Sequence, residues 1–246
     1  MKANKKQIHL FPLEQMIDES IAFIRDNEPD EGYFVAFSGG KDSIVMYDLV
    51  KKSGVKHTVG YSATGIDPPE IPRFIRQHYP EVVFYKPENS FWHYVRKWGP
   101  PNRWTRWCCK MLKEYEKGND NIIFGIRAEE SPQRAGRGEL SKYKKIMQFK
   151  PIFYWSLWHI WEYIESNNIP YPSLYDNGFD RVGCTVCPFI FHKNSRQLER
   201  NKTLFPKHYA KLEESIKAWW AIKREGKDDT FNNVDEYIEA YYRGFK

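Results

Sequence analysis

The chain has 246 residues, 41% of them hydrophobic and 28% charged, which is enough for one sizeable core with room for a small added lobe. No stretch reaches membrane-spanning length, and the opening MKANKKQIHLFPLEQ lacks the apolar core of a signal peptide; the expectation is a soluble, cytoplasmic protein with no membrane partner. The net charge of +6 is uneven, because residues 193–227 alone hold ten Lys or Arg against four Glu: a basic helical segment that either tracks a polyanion such as nucleic acid or presents a solvated helix face.

Taken in chain order, Leu13, Met16, Ile17, Ile21 and Ile24 share one face at helical spacing. Strands are predicted at 33–37, 56–61, 82–85 and 121–126, separated by helices near 42–52, 68–78 and 89–97. Strands alternating with helices predict an α/β fold with a doubly wound, mostly parallel sheet. Residues 132–150 are basic and weakly periodic and read as a mobile loop or lid, in which Arg134 and Arg137 could close over phosphates. Helical spacing returns over 154–166, where Leu157, Ile160, Trp161 and Ile164 are expected to be buried and His159 to serve in packing or at the surface. Residues 1–190 are expected to form one nucleotide-binding α/β domain that includes the cysteines, with 191–246 a helical extension packed on it.

Sheets of this kind bind ligands outside the carboxyl ends of their strands. The first strand there runs into SGGKDS, residues 38–43, and a helix. The first turn of a helix leaves backbone N–H groups without intrahelical partners, and Gly39 and Gly40 let an anion approach them. Ser38 and Ser43 add hydroxyls, Lys41 a positive charge, and Asp42 a ligand for Mg²⁺ or a cap. The spacing is not that of a Walker A loop, which needs four residues between its first glycine and Gly-Lys. After the second strand, SATGIDPPE offers Thr64, Gly65 and Asp67; after the fourth, GIRAEES offers Arg127, which either binds an anion bidentately or pairs with Glu129 or Glu130.

The four cysteines come as two pairs, Cys108 with Cys109 and Cys184 with Cys187. Without a secretory signal, such pairs point to metal or redox chemistry rather than a disulfide framework. A C-x-x-C turn places two thiolates on one metal centre, whereas adjacent cysteines point apart. That suits different irons of a 4Fe-4S cluster better than one tetrahedral zinc, with free or disulfide-bonded thiols as the remaining alternative.

FSGGKDS, ATGIDPPE, CCKMLK, GIRAEES and the stretch from PIFYWSLWHIW to GCTVCPF resemble, in order, the landmarks of the phosphoadenosine phosphosulfate reductase family of PP-loop enzymes. The likeness runs from about residue 30 to about residue 210. The cysteine pattern is similar to that of the cluster-bearing adenylyl-sulfate reductases and of the ATPase component of DNA phosphorothioation systems. The resemblance implies an adenine nucleotide alpha-hydrolase-like fold and a 4Fe-4S cluster on Cys108, Cys109, Cys184 and Cys187. It also implies that Ser38, Gly39, Gly40, Lys41, Asp42 and Ser43 bind a phosphate or sulfate group and that Arg127 binds the nucleotide; Thr64 and Gly65 are expected at the same site from their place after the second strand, and Lys41, Asp42 and Arg127 are the expected catalytic residues. The family's reductases attack sulfur with a further cysteine in a C-terminal Glu-Cys-Gly-Leu-His motif, and this sequence has no cysteine after Cys187. The expectation is therefore an ATP pyrophosphatase that adenylates an acceptor for sulfur transfer, using ATP and Mg²⁺ and a sulfur donor protein of the cysteine-desulfurase kind or a thiol reductant. Two alternatives stand beside it: reduction of adenylyl sulfate to sulfite, and a non-catalytic iron–sulfur subunit that binds nucleotide or nucleic acid.

Overall fold

Short apolar runs that end in glycine or polar turns, each followed by an amphipathic segment, build a layered α/β structure. The computed structural model describes residues 12–113, 120–191, 195–223 and 230–244. In chain order its elements are α1 (Leu13–Asp26), β1 (Tyr33–Ala36), α2 (Lys41–Ser53), β2 (His57–Ser62), α3 (Glu70–His78), β3 (Val83–Tyr85), α4 (Phe91–Trp98), α5 (Trp107–Leu112) and β4 (Asn121–Phe124). There follow α6 (Pro132–Ala135), β5 (Leu140–Tyr143), β6 (Ile146–Phe149), α7 (Leu157–Ser166), α8 (Arg196–Leu204), α9 (Pro206–Lys223) and α10 (Val234–Arg243).

The chain divides into two compact units, the first comprising Met1–Tyr61, Glu70–Tyr85 and Glu116–Val182. It carries a six-stranded sheet in the order β3-β2-β1-β4-β6-β5. β1 pairs parallel with β2 and with β4, β4 pairs parallel with β6, and β5 closes the edge antiparallel to β6. A strand flanked on both sides and covered on both faces must be apolar throughout, and Tyr33, Phe34 and Val35 are all buried, with Val35 in register with Val59 and Ile123. Helices α1, α2 and α7 pack together. On α1, Met16 and Ile24 are buried, and the buried Ser20 hydroxyl donates to the Pro151 carbonyl at 2.7 Å while accepting from the Trp155 indole at 2.9 Å.

Two expectations need correction here. Residues 132–150 do not form a loop throughout: they contain α6 and the β5–β6 hairpin, which turns at Lys144 with φ +56°. The hairpin hides from a periodicity reading because its outer strand exposes Leu140 and Tyr143. Its anchor is Lys150, buried at 1% exposure, whose ammonium donates to the Gly138 carbonyl at 2.8 Å and the Ser141 hydroxyl at 2.7 Å. In α7 the buried face is His159, Ile160, Tyr163 and Ile164, whereas Leu157 is exposed and Trp161 half-buried. His159 Nδ1 accepts the Ser156 amide at 3.0 Å, so this residue caps and packs the helix it begins.

The second unit comprises Ser62–Pro69, Lys86–Tyr115 and Gly183–Lys246. Here α4 lies against α9, and α10 packs on α9. Their shared core is unusually aromatic, with Phe91, Trp92, Tyr94, Trp219, Trp220, Tyr237, Tyr241 and Tyr242 all buried. The expected boundary at 190/191 falls inside this unit, because α8, α9 and α10 share their core with α4 and with the segment around Val186. Among the described residues no helix is long and apolar enough to cross a membrane.

Candidate functional site

In the first unit the β1 end, the turn and α2 form the geometry an anion needs. Gly39 has φ +70°, and a Cβ there would lie 3.0 Å from the Ile75 side chain, so both conformation and space call for glycine. Gly40 is the N-cap of α2, with no side chain of its own to cap it. The Ser43 hydroxyl donates to the Gly40 carbonyl at 2.8 Å and accepts the Ser38 amide at 3.2 Å, and the two serine hydroxyls lie 3.0 Å apart. Ser38 Oγ in turn accepts the Gly40 amide at 3.3 Å. The loop is held by its own hydroxyls, a preorganised cradle at the positive end of a helix.

Three charged side chains of the sequence reading meet at this cradle. Lys41, 4% exposed, places its ammonium 3.2 Å from Asp42 Oδ2 and donates to the Asp180 carbonyl at 3.0 Å. Arg127, 5% exposed, donates through Nε to Asp42 Oδ1 at 2.5 Å and through Nη1 to Glu129. Burial works against the charge of Arg127, but the carboxylates of Asp42 and Glu129 overcome that and raise its pKa. The two readings of Arg127 are thus combined: it is salt-bridged to Glu129 and also aimed at the phosphate loop through Asp42. Glu130 accepts the Arg127 amide at 3.1 Å and pairs with Arg134, which therefore serves the loop rather than reaching over it.

Tyr175 and Asp180 are not among the expected site residues, yet they complete this cradle. The Lys41 amide donates to the Tyr175 hydroxyl at 2.9 Å, and the Lys41 ammonium lies 5.4 Å from the centre of the same ring. They lie in an irregular segment after α7, and nothing in the spacing of PYPSLYDNGFD reports a contact with residue 41. Gly125 sets the approach of the β4 loop: a Cβ on it would fall 2.8 Å from the Asp42 carbonyl. Gly125→Ala should lower stability by about 1–3 kcal/mol, as overpacking against backbone does. Denaturant unfolding checks this, and an unchanged midpoint would show that the two segments part freely.

The remaining expected residues belong to the second unit. Thr64, 2% exposed, donates its hydroxyl to Asp67 at 2.7 Å and accepts the Ile66 amide at 3.3 Å, while Gly65 is exposed with φ +74°. All four cysteines line one pocket, walled by Ile66, Phe91, Leu112 and Val186. Lys113 reaches the same pocket, where it hydrogen-bonds Cys184 and is raised in pKa chiefly by the Cys184 charge. Burial pushes the Cys184 thiol up to about 12 against the pull of Lys113. Cys109 goes the other way, to about 5, because Cys108 donates to it and the Arg106 guanidinium stands 3.5 Å from its sulfur.

The donor set is four soft thiols with two cations against them, which is the chemistry an iron–sulfur cluster or zinc requires. Among the described residues no three His, Cys, Asp or Glu side chains converge as for a single metal ion. The sulfurs stand around the pocket instead.

The sequence has known relatives. Residues 32–189 match the phosphoadenosine phosphosulfate reductase domain. An uncharacterized Methanocaldococcus jannaschii protein is 34% identical over 75% of the chain, which covers 41% of that relative. A second from the same organism is 31% identical over 85%, covering 50%. The chain thus spans about half the length of these relatives. An adenosine 5'-phosphosulfate reductase of Lysinibacillus sphaericus is 26% identical over 72% of the chain and 83% of its own length. Among solved structures, phosphoadenylyl-sulfate reductase from Candida auris superposes with a TM-score of 0.53 at 17% identity, over 72% of this chain and 96% of that one. FMN adenylyltransferase from Candida glabrata superposes with a TM-score of 0.52 at 15% identity, over 93% and 82%. At these identities the structural likeness establishes a shared Rossmann-type fold.

Proposed function

From a chain that belongs to the phosphoadenosine phosphosulfate reductase family, we propose an adenylating enzyme: an acceptor oxygen attacks the α-phosphorus of ATP, the bond to the β-phosphate oxygen breaks, and pyrophosphate leaves with that electron pair. A sulfur nucleophile then displaces AMP from the activated acceptor. Ser38, Gly39, Gly40 and Ser43 bind phosphate through amides and hydroxyls, and Lys41 and Arg127 offset the charge that develops on the leaving group. Asp42 would hold Mg²⁺, for which one carboxylate suffices because the ion keeps several waters and takes further oxygens from the phosphates.

Cys108, Cys109, Cys184 and Cys187 would hold a 4Fe-4S cluster, and the walls of apolar side chains with Lys113 and Arg106 nearby fit that group. When bound it would supply or relay sulfur. The observation that favours adenylation over reduction is that all four cysteines of this chain line one pocket, so no thiol of the chain stands elsewhere to attack an adenylyl sulfate. The reductive reading is supported by the names of relatives such as the Lysinibacillus enzyme. One assay separates them: anaerobically purified protein incubated with ATP or adenylyl sulfate, each with Mg²⁺ and a thiol. Pyrophosphate from ATP is expected; sulfite from adenylyl sulfate without it would overturn the proposal.

A further inference from the structure

Beside the cysteine pocket the second unit presents a strip of side chains that the proposed chemistry does not use. Arg103, Trp104, Thr105 and Arg106 are all exposed, Trp104 at 76%, and Phe189 at 49% stands with them. The strip is built rather than loose. Asn102 Oδ1 accepts the Trp104 amide at 2.9 Å and the Thr105 amide at 2.6 Å, and Arg103 Nη2 donates to the Phe189 and Phe191 carbonyls at 3.2 and 3.4 Å. The Arg106 guanidinium lies 5.0 Å from the centre of the Phe189 ring while its Nη2 faces Cys109. Trp104 also walls a shallow depression that shares Pro188 with the cysteine pocket.

Along the sequence, the segment that carries this strip has charge of one sign. Residues 89–113 contain Arg96, Lys97, Arg103, Arg106, Lys110 and Lys113 and no Asp or Glu. Arg96 pairs with Glu214 at 2.8 Å and Lys97 lies over the Trp98 ring at 5.7 Å, while Arg103 and Arg106 stand at Phe189 and Lys97 and Lys110 are exposed. The basic segment 193–227 is different, though part of it lies outside the described residues. Three of its described lysines lie on groups of the unit, Lys202 over the Tyr242 ring at 4.1 Å, Lys211 near Trp92 at 5.6 Å and Lys217 on Asp235 at 2.9 Å, whereas Lys207 is exposed.

We propose that this strip docks a single-stranded nucleic acid, the acceptor strand for the reaction proposed above, and for the word acceptor the inference rests on that reading. Cations meet phosphates, and exposed Trp104 and Phe189 with flanking guanidinium planes give unpaired bases a stacking platform. An acidic peptide would satisfy the cations and leave the rings idle. A duplex keeps its bases stacked on each other and gains only the charge.

The test uses anaerobically purified full-length chain and fluorescence anisotropy with labelled single-stranded RNA and DNA, the matching duplex and a polyglutamate peptide, across a salt series. Single strands should bind about tenfold or more tightly than duplex or peptide, Trp104→Ala should weaken them about tenfold, and Lys97→Ala with Lys110→Ala should flatten the salt dependence. Circular dichroism confirms that the variants fold. Single strands that do not bind, that bind no better than polyglutamate, or that bind Trp104→Ala unchanged overturn the inference. Pyrophosphate release on the same preparation reports separately on adenylation: binding without turnover removes the enzyme reading and keeps the strip, and turnover without binding does the reverse.

Discussion

Asp42→Ala is expected to lower pyrophosphate release from ATP by about 10²–10³-fold, the loss seen when one preorganised charge-stabilising group is removed from an active site, while iron content stays unchanged. Asp42 binds both cations of the cradle, Lys41 through Oδ2 and Arg127 through Oδ1. Without it the two cations face each other with Glu129 as the remaining carboxylate on Arg127, and the loop loses its proposed Mg²⁺ ligand. Asp42→Asn separates those effects, because the amide oxygen still accepts one hydrogen bond from Arg127 but carries no charge. The two variants should be equally inactive; recovery of activity in Asp42→Asn would mean that the carboxylate only positions Arg127.

Cys184→Ser is expected to abolish iron and sulfide incorporation and the visible absorbance that accompanies it. A serine hydroxyl does not ionise as a thiol does, so the pocket keeps three soft ligands and loses the fourth. In this variant Lys113 also loses the charge of the sulfur it faces. Metal analysis decides the outcome. Iron retained in Cys184→Ser would defeat the four-ligand assignment, and zinc without iron in the unaltered protein would replace the cluster by a single-ion site.

The parts legible in the sequence were those in which local chemistry and tertiary role coincide. β1 is apolar because it lies mid-sheet, and the turn after it is rich in glycine because α2 must start there; both facts are written in consecutive letters. The β5–β6 hairpin was illegible because an edge hairpin needs no continuous apolar run, and Lys150 holds it from outside either strand. The cradle was half legible: Ser38 to Ser43 announce themselves, and Arg127 falls at a strand end as the topology requires. Tyr175 and Asp180 reach Lys41 from 134 and 139 residues away, through an irregular segment without periodicity. The cysteines were visible as pairs, but their common wall depends on α5, the 62–69 loop and the 183–191 segment folding with the C-terminal helices into one aromatic core. No local pattern encodes that.

Thr185 sits between the cysteines of the second pair, fully buried. Its amide and hydroxyl donate to the Ile66 carbonyl at 2.8 and 3.0 Å, and its own carbonyl accepts from Asn201 at 3.0 Å and Tyr209 at 2.8 Å. One of the two residues that space these cysteines is therefore also a knot tying the 62–69 loop to α8 and α9. Whatever ligates those cysteines is linked to the folding equilibrium of that half of the chain, since a ligand bound only by the native state stabilises it by mass action. With the proposed cluster as that ligand, chain that has not been loaded would open in this half more readily, and meet proteases sooner, than chain that has.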